Sequence, residues 1–202
     1  AADWVSRLVP AQESLTRVNQ QVGRLERLVN DLLEVSRIRA GKLDLRLEPL
    51  DLAALLRQAV EDQQVASSRT IRLRLPTSLP GPVVADAERI EQVLTNYLTN
   101  ALKYSPAEVP VEVGLEVDAQ QGVRVWVHDA GPGIPSAEQE HIWERFHRVS
   151  GIEVQSGSGV GLGLGLSICR EIIERHHGQV GVQSAPGEGS TFWFTLPLTR
   201  PT

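Results

Sequence analysis

Residues 92–106 read Gln92-Val-Leu-Thr-Asn96-Tyr-Leu-Thr-Asn100-Ala-Leu-Lys103-Tyr104-Ser105-Pro106. The segment predicts a helix from about Ala87 to Tyr104, on which Asn96, Asn100 and Lys103 fall at spacings of four and three. Those spacings put all three side chains on one face, beside Tyr104. Asparagine offers a neutral oxygen suited to Mg2+, a hard ion that keeps several waters and bridges phosphates, and lysine offers the phosphates a point charge. Such a face can hold a phosphate and its metal. Taken alone, two asparagines on a helix would equally serve to cap or hydrogen-bond neighbouring loops.

Downstream of this helix, strands are expected near Val109 to Val117 and near Gly122 to His128. A glycine-rich run then opens a helix reaching about His177 and capped by Gly178, and two last strands run near Gln179 to Ser184 and Thr191 to Leu196. Upstream lie a short strand at Val83 to Ala85, a turn over Pro76 to Pro82, and an alternating strand carrying Ile71, Leu73 and Leu75. Leu52 to Val65 has helical spacing, and Leu43, Leu45 and Leu47 alternate as in a half-buried strand. Mixed strands and helices, ending in hairpin-length connections, give an α+β class with helices layered on a largely antiparallel sheet.

Farther upstream, Leu15, Val18, Val22, Leu25, Val29 and Leu32 alternate steps of three and four. That seam predicts a long helix from about Ala11 to Arg39, stopped at Gly41, which faces partner helices in a bundle. Packing onto its own domain is the alternative. Asp3 to Leu8, with Pro10 at the turn, reads as the tail of a preceding helix.

Two more segments carry patterns that packing alone does not require. In Asp129-Ala-Gly-Pro-Gly-Ile134 a carboxylate stands at a strand end, ready to accept a hydrogen bond from an exocyclic amine, while Gly131 and Gly133 let backbone approach a flat ligand. A tight Asp/Gly/Pro turn would explain the hexapeptide by itself. Gly157-Ser-Gly-Val-Gly-Leu-Gly-Leu-Gly-Leu-Ser167 alternates glycines ahead of a helix whose first amides suit a phosphate. It fits neither the Walker A loop nor G-x-G-x-x-G, and its leucines set it apart from a polar linker.

A net charge of -5 argues against nucleic acid or an anionic membrane as the main partner. One cysteine, Cys169, in an apolar helical pattern, excludes a disulfide framework and suits a reducing compartment. No run of about 18 apolar residues occurs, so a cytoplasmic location is expected, with any membrane anchor lying upstream of residue 1.

In this order the three segments resemble the N, G1 and G2 boxes of sensor histidine kinases, within the ATPase superfamily shared with DNA gyrase and mismatch-repair proteins. Glu144-Arg-Phe-His-Arg148 resembles the F box, Gly187-Glu-Gly-Ser-Thr191-Phe-Trp-Phe the closing strand, and Arg24 to Arg37 with Ala40-Gly-Lys42 the second dimerisation helix. The resemblance implies a two-layer sandwich, with a mixed sheet of about five strands and three main helices on one face, preceded by a long dimerisation helix. Its domains would be 1–41, a partial dimerisation and phosphotransfer hairpin, and 42–202, the ATP-binding domain.

Carried over by position, it implies Asn100 as Mg2+ ligand, Asn96 and Lys103 around the triphosphate, and Tyr104 near the nucleoside. Asp129 would receive the adenine amine, with Thr191 helping through water and Gly131, Gly133 and Ile134 beside the base. Arg148 would reach the γ-phosphate, acting catalytically with Lys103; 149–163 would form a mobile lid over it, and Gly161, Leu162, Gly163, Leu164 and Gly165 would bind the nucleotide. An asparagine at 96 has no basic form to activate water, so transfer is favoured over hydrolysis. The implied partners are a second copy through the N-terminal helix, a response regulator receiver domain and an upstream phosphoacceptor helix. No histidine precedes His128, so this chain is not expected to phosphorylate itself. A nucleotide-binding, dimerising regulatory module without transfer is the alternative from another class, and a gyrase-like clamp is disfavoured by Asn96.

Overall fold

The computed structural model describes residues 21–23, 25, 26, 28–41, 43–78, 82–118, 122–151, 155 and 161–198. The chain divides into two compact units, Ala1–Lys42 and Leu43–Thr202. In the first, the described residues between 21 and 39 are helical (α1). The helix stops where expected: the Gly41 amide donates to the Ile38 carbonyl at 3.1 Å, and Gly41 takes the left-handed φ of +67 that a side chain disfavours. Val22, Leu25, Val29 and Leu32 are all about half exposed, at 47, 59, 52 and 49%. Leu15, Val18 and the hairpin tail over 3–8 lie outside the described residues.

In the second unit a five-stranded sheet has the order β2-β4-β5-β7-β6, from β2 (Ile71–Arg74), β4 (Val111–Asp118), β5 (Gly122–Asp129), β6 (Val180–Ser184) and β7 (Ser190–Leu196). Only the β2·β4 pair is parallel, so the sheet is mixed and largely antiparallel as expected. Three helices pack on it: α2 (Leu52–Ser67), α3 (Ala87–Tyr104) and α4 (Gly165–Arg175), with α3 between the other two. Asp86 caps α3, its carboxylate accepting from the Arg89 amide at 3.2 Å. Below α3, alternate residues Val123, Val125 and Val127 of β5 are buried with Val111, Val113 and Leu115 of β4. Tyr97 of α3 meets Phe192 and Phe194 of β7 at centroid distances of 5.6 and 6.2 Å. Ile90, Leu94, Leu98 and Ile172 are fully buried beside them, each contributing roughly 1.5–3 kcal/mol.

The opposite face of the sheet carries the intervening residues. There Arg124 lies 4.4 Å over the Trp193 ring, and the Trp126 indole donates to Glu116 at 2.8 Å.

Two expectations are corrected. The alternation of Leu43, Leu45 and Leu47 does not make a strand. The strand begins later, at Glu48–Leu50 (β1), because its partner β3 (Val83–Ala85) offers only three residues, Leu50 pairing Val83 and Glu48 pairing Ala85. At the end of α4, His177 rather than Gly178 takes the left-handed turn, with φ +60. Gly178 is needed for a different reason: a β-carbon there would lie 2.0 Å from the Thr195 carbonyl oxygen.

Candidate functional site

The site lies where the C-terminal half of α3 faces the start of α4 and the end of β5. α3 presents its polar face as the spacing requires, and the Asn100 Nδ2 donates to Asn96 Oδ1 at 3.1 Å. That bond uses the amide nitrogen of Asn100 and leaves its carbonyl oxygen for a hard cation, so the residue fits an Mg2+ ligand. Among the described residues no group of three or more His, Cys, Asp or Glu could hold a metal ion. Lys103 extends its ammonium over the Tyr104 ring, 4.9 Å from the centroid, and both residues are half-buried.

α4 starts at Gly165, hard against the polar face of α3. A β-carbon on Gly165 would sit 2.2 Å from Asn96 Nδ2. The first amides and positive end of α4 therefore point from beside Asn96. Just before it, Gly163 has φ +69 and its missing β-carbon would be 2.5 Å from the His147 carbonyl oxygen, while its own carbonyl accepts from the Phe146 amide at 2.9 Å. The chain leaving at Arg148 and the chain returning at Gly163 are thus pinned together at their base. A second bond holds this base: His147 Nε2 and Glu138 Oε2 are 2.7 Å apart. Most of the expected lid falls outside the described residues. Of the part described, the Gln155 amide donates to the Lys103 carbonyl at 3.0 Å.

Asp129 ends β5, 4% exposed, with Oδ1 accepting from the Gly131 amide at 2.7 Å. Burial pushes its carboxyl up to about 6, against the opposing pull of the Gly131 amide, the neighbouring His128 and the Ser190 backbone. A buried acceptor with so few partners is suited to an incoming N–H donor. The two glycines after it serve the chain's own packing. At Gly131 a β-carbon would meet Asp129 Oδ1 at 2.6 Å and the Tyr104 carbonyl oxygen at 3.0 Å, and at Gly133 it would meet the Ala185 carbonyl oxygen at 1.9 Å.

Several expected site residues are placed differently. Side chains on a strand alternate faces, and β7 pairs Ser190 with Asp129 and Thr191 with His128. Thr191 therefore lies on the far side of the sheet from the Asp129 carboxylate, its hydroxyl 2.9 Å from His128 Nδ1. The hydroxyl beside Asp129 belongs to Ser190, 5% exposed. The sequence does carry a signal for it, since the phase of Phe192, Phe194 and Leu196 in the core marks Ser190 and excludes Thr191. Ile134 spends its amide on Ser184 Oγ at 2.8 Å, and Leu164 is buried in the core, leaving only backbone for a ligand. Leu162 is half-buried, nothing lies within 4 Å of the β-carbon position of Gly161, and Arg148 is exposed at the outgoing end of the pinned loop.

Residues 85–200 match the family model described as histidine kinase-, DNA gyrase B-, and HSP90-like ATPase. The adaptive-response sensory kinase SasA of Synechocystis sp. (strain ATCC 27184 / PCC 6803 / Kazusa) is 40% identical over 189 residues, covering 92% of this chain and 48% of that protein. SasA of Gloeothece citriformis is 39% identical over 200 residues, covering 96% and 49%. The chain thus spans about half the length of these curated relatives. Among solved structures, full-length ShkA in complex with AMPPNP superposes with a TM-score of 0.77 at 29% identity, covering 95% of this chain and 39% of that one. The mycobacterial sensor histidine kinase MprB superposes with a TM-score of 0.64 at 28% identity, covering 78% and 100%.

Proposed function

Since this chain belongs to the histidine kinase-, DNA gyrase B- and HSP90-like ATPase family, we propose that its second unit binds Mg-ATP and donates the γ-phosphoryl group to a histidine of a sensor histidine kinase. The observation that carries this reading is the arrangement around α3. A polar Asn96–Asn100–Lys103 face meets the start of α4 at one end, and the buried Asp129 carboxylate lies against the Tyr104 end.

Asp129 accepts the adenine amine, and Ser190, paired with Asp129 across the sheet, takes the water-mediated role that the family resemblance implies for Thr191. Lys103 and the α4 amides bind the phosphates, and Arg148, at the mouth of the pinned loop, meets the γ-phosphoryl group as it leaves. Asn100 would hold Mg2+, which would supply charge neutralisation at the phosphates. Asn96 orients Asn100 through their hydrogen bond and has no basic form with which to activate water, which supports transfer over hydrolysis.

The acceptor histidine lies outside these 202 residues, because His128, His141, His147, His176 and His177 all belong to the nucleotide-binding unit. Residues 1–41 supply part of a dimerisation hairpin, a role supported by the exposed seam of Val22, Leu25, Val29 and Leu32. A response regulator receiver domain takes the phosphoryl group onward.

The test is a calorimetric titration with ATP, with and without Mg2+, followed by labelled ATP and a separately prepared histidine-bearing helix from the whole protein. Mg-dependent binding with label appearing on that helix is expected. Binding without transfer to a folded helix would leave a regulatory nucleotide-binding module, and no binding would refute the reading.

A further inference from the structure

Arg69 stands between α2 and β2, far in sequence from the site, yet its guanidinium is committed to one end of α3. Nη1 donates to the carbonyls of Leu102 at 3.2 Å and Ser105 at 3.4 Å, and Nη2 to those of Pro106 at 2.5 Å and Val109 at 3.2 Å. These acceptors belong to the last turn of α3 and the turn that follows it. The final carbonyls of a helix have no partners within it and carry partial negative charge. α3 must stop there, since Ser105 is extended, with ψ 142, ahead of Pro106. The only basic residue in its last turn is Lys103, which the proposed function commits to the phosphates.

The chain delivers Arg69 to this place by a local device. Ser68 closes α2 in a left-handed conformation, with φ 54, and the Arg69 amide donates to Ser67 Oγ at 3.3 Å. Thr70 then accepts from the Val111 amide at 3.2 Å, so the turn over 105–110 is gripped on both sides before β4 begins. Leu102 and Ser105, both held by Nη1, flank Lys103 and Tyr104. The Tyr104 carbonyl is in turn the surface against which Gly131 packs, so this one turn joins the phosphate end of the site to the Asp129 end.

We propose that Arg69 is a positioning residue for nucleotide binding, fixing the last turn of α3 so that Lys103, Tyr104 and the Asp129 loop hold their bound geometry before ligand arrives. The inference rests on the reading of this face as the Mg-ATP site. Preorganised groups lose less freedom when ligand binds, so loosening them weakens affinity without removing a contact. The experiment is calorimetric titration of the whole chain with ATP and Mg2+, on the parent, Arg69→Ala and Arg69→Lys, well below their unfolding temperatures. Amide hydrogen exchange at Ser105, Val109 and Val111 is followed alongside.

The expected result is Kd raised about tenfold in Arg69→Ala, or roughly 1.4 kcal/mol, and partly restored by millimolar guanidinium. Arg69→Lys, which keeps the charge but not the fork, should fall between. Exchange should quicken at the three amides and not across β5, β7 or the remainder of β4. A folded Arg69→Ala with parental Kd and only a lower Tm would overturn the proposal in favour of a clamp for stability alone. If Arg69→Ala does not fold, Arg69→Lys decides by the same criterion, and loss of fold in both also overturns it. A parent that binds no nucleotide would instead overturn the proposed function.

Discussion

Replacing Asp129 by asparagine should strengthen the ligand-free fold at neutral pH while weakening nucleotide binding. The carboxyl is 4% exposed and burial raises it from its ordinary 3.8 to about 6. At roughly 1.4 kcal/mol per tenfold change in proton affinity, that difference corresponds to about 3 kcal/mol. The sign follows from linkage: the folded form holds this proton more tightly than the unfolded chain, so stability is lost as pH rises from about 4 through about 6. Asparagine removes the charge and keeps an oxygen for the Gly131 amide, but turns an NH2 toward its other neighbours. The net gain at pH 8 should therefore be about 1–2 kcal/mol. Urea denaturation of parent and Asp129→Asn at pH 4.5 and pH 8 isolates the effect, because the difference cancels every other titrating group. The variant's advantage is expected to shrink by about 2 kcal/mol between pH 8 and pH 4.5, leaving it no more stable than the parent at the acid end. A difference that does not change with pH would refute the reasoning. For the parent, ATP affinity should rise as pH increases through about 6, since only the ionised carboxylate accepts without donating.

Three further outcomes are expected. His176, 4% exposed, accepts from the Asp86 amide at 3.0 Å through Nε2, while Nδ1 lies 2.8 Å from the Ile172 carbonyl oxygen. Burial lowers its pKa, so its neutral form is the folded one and stability should decline as pH falls through about 6.5. That decline should be absent from the denaturation profile of His176→Gln, which loses about 1–2 kcal/mol at pH 7.5. Gly163→Ala forces a side chain into φ +69 against the His147 carbonyl, and should lower stability by about 1–3 kcal/mol in thermal melts while exposing the loop base to limited proteolysis. Asn100→Ala removes the amide oxygen offered to the cation, so calorimetry should show ATP affinity nearly independent of Mg2+, with Tm changed by only a few degrees.

The sequence by itself determined what is local. The polar face of α3 follows from a helical period of 3.6 acting on Asn96, Asn100 and Lys103, and the place of Asp129 at a strand end follows from the alternation of β5. The α+β class and the largely antiparallel sheet were legible for the same reason, since each element carries its own period and its own glycine and proline stops. Tertiary structure alone decided what depends on partners brought from elsewhere in the chain. Leu43, Leu45 and Leu47 have a strand's alternation but no strand to pair with, because β3 ends after three residues. The hydroxyl beside Asp129 is that of Ser190 rather than Thr191, because register, which moves every side chain to the other face when slipped by one, is set by the β5·β7 pairing. Gly133 is filled by the Ala185 backbone 52 residues on, and Arg69 reaches carbonyls 33 to 40 residues away. A period in the sequence says which way a side chain points within its element. Only the packed chain says what it points at.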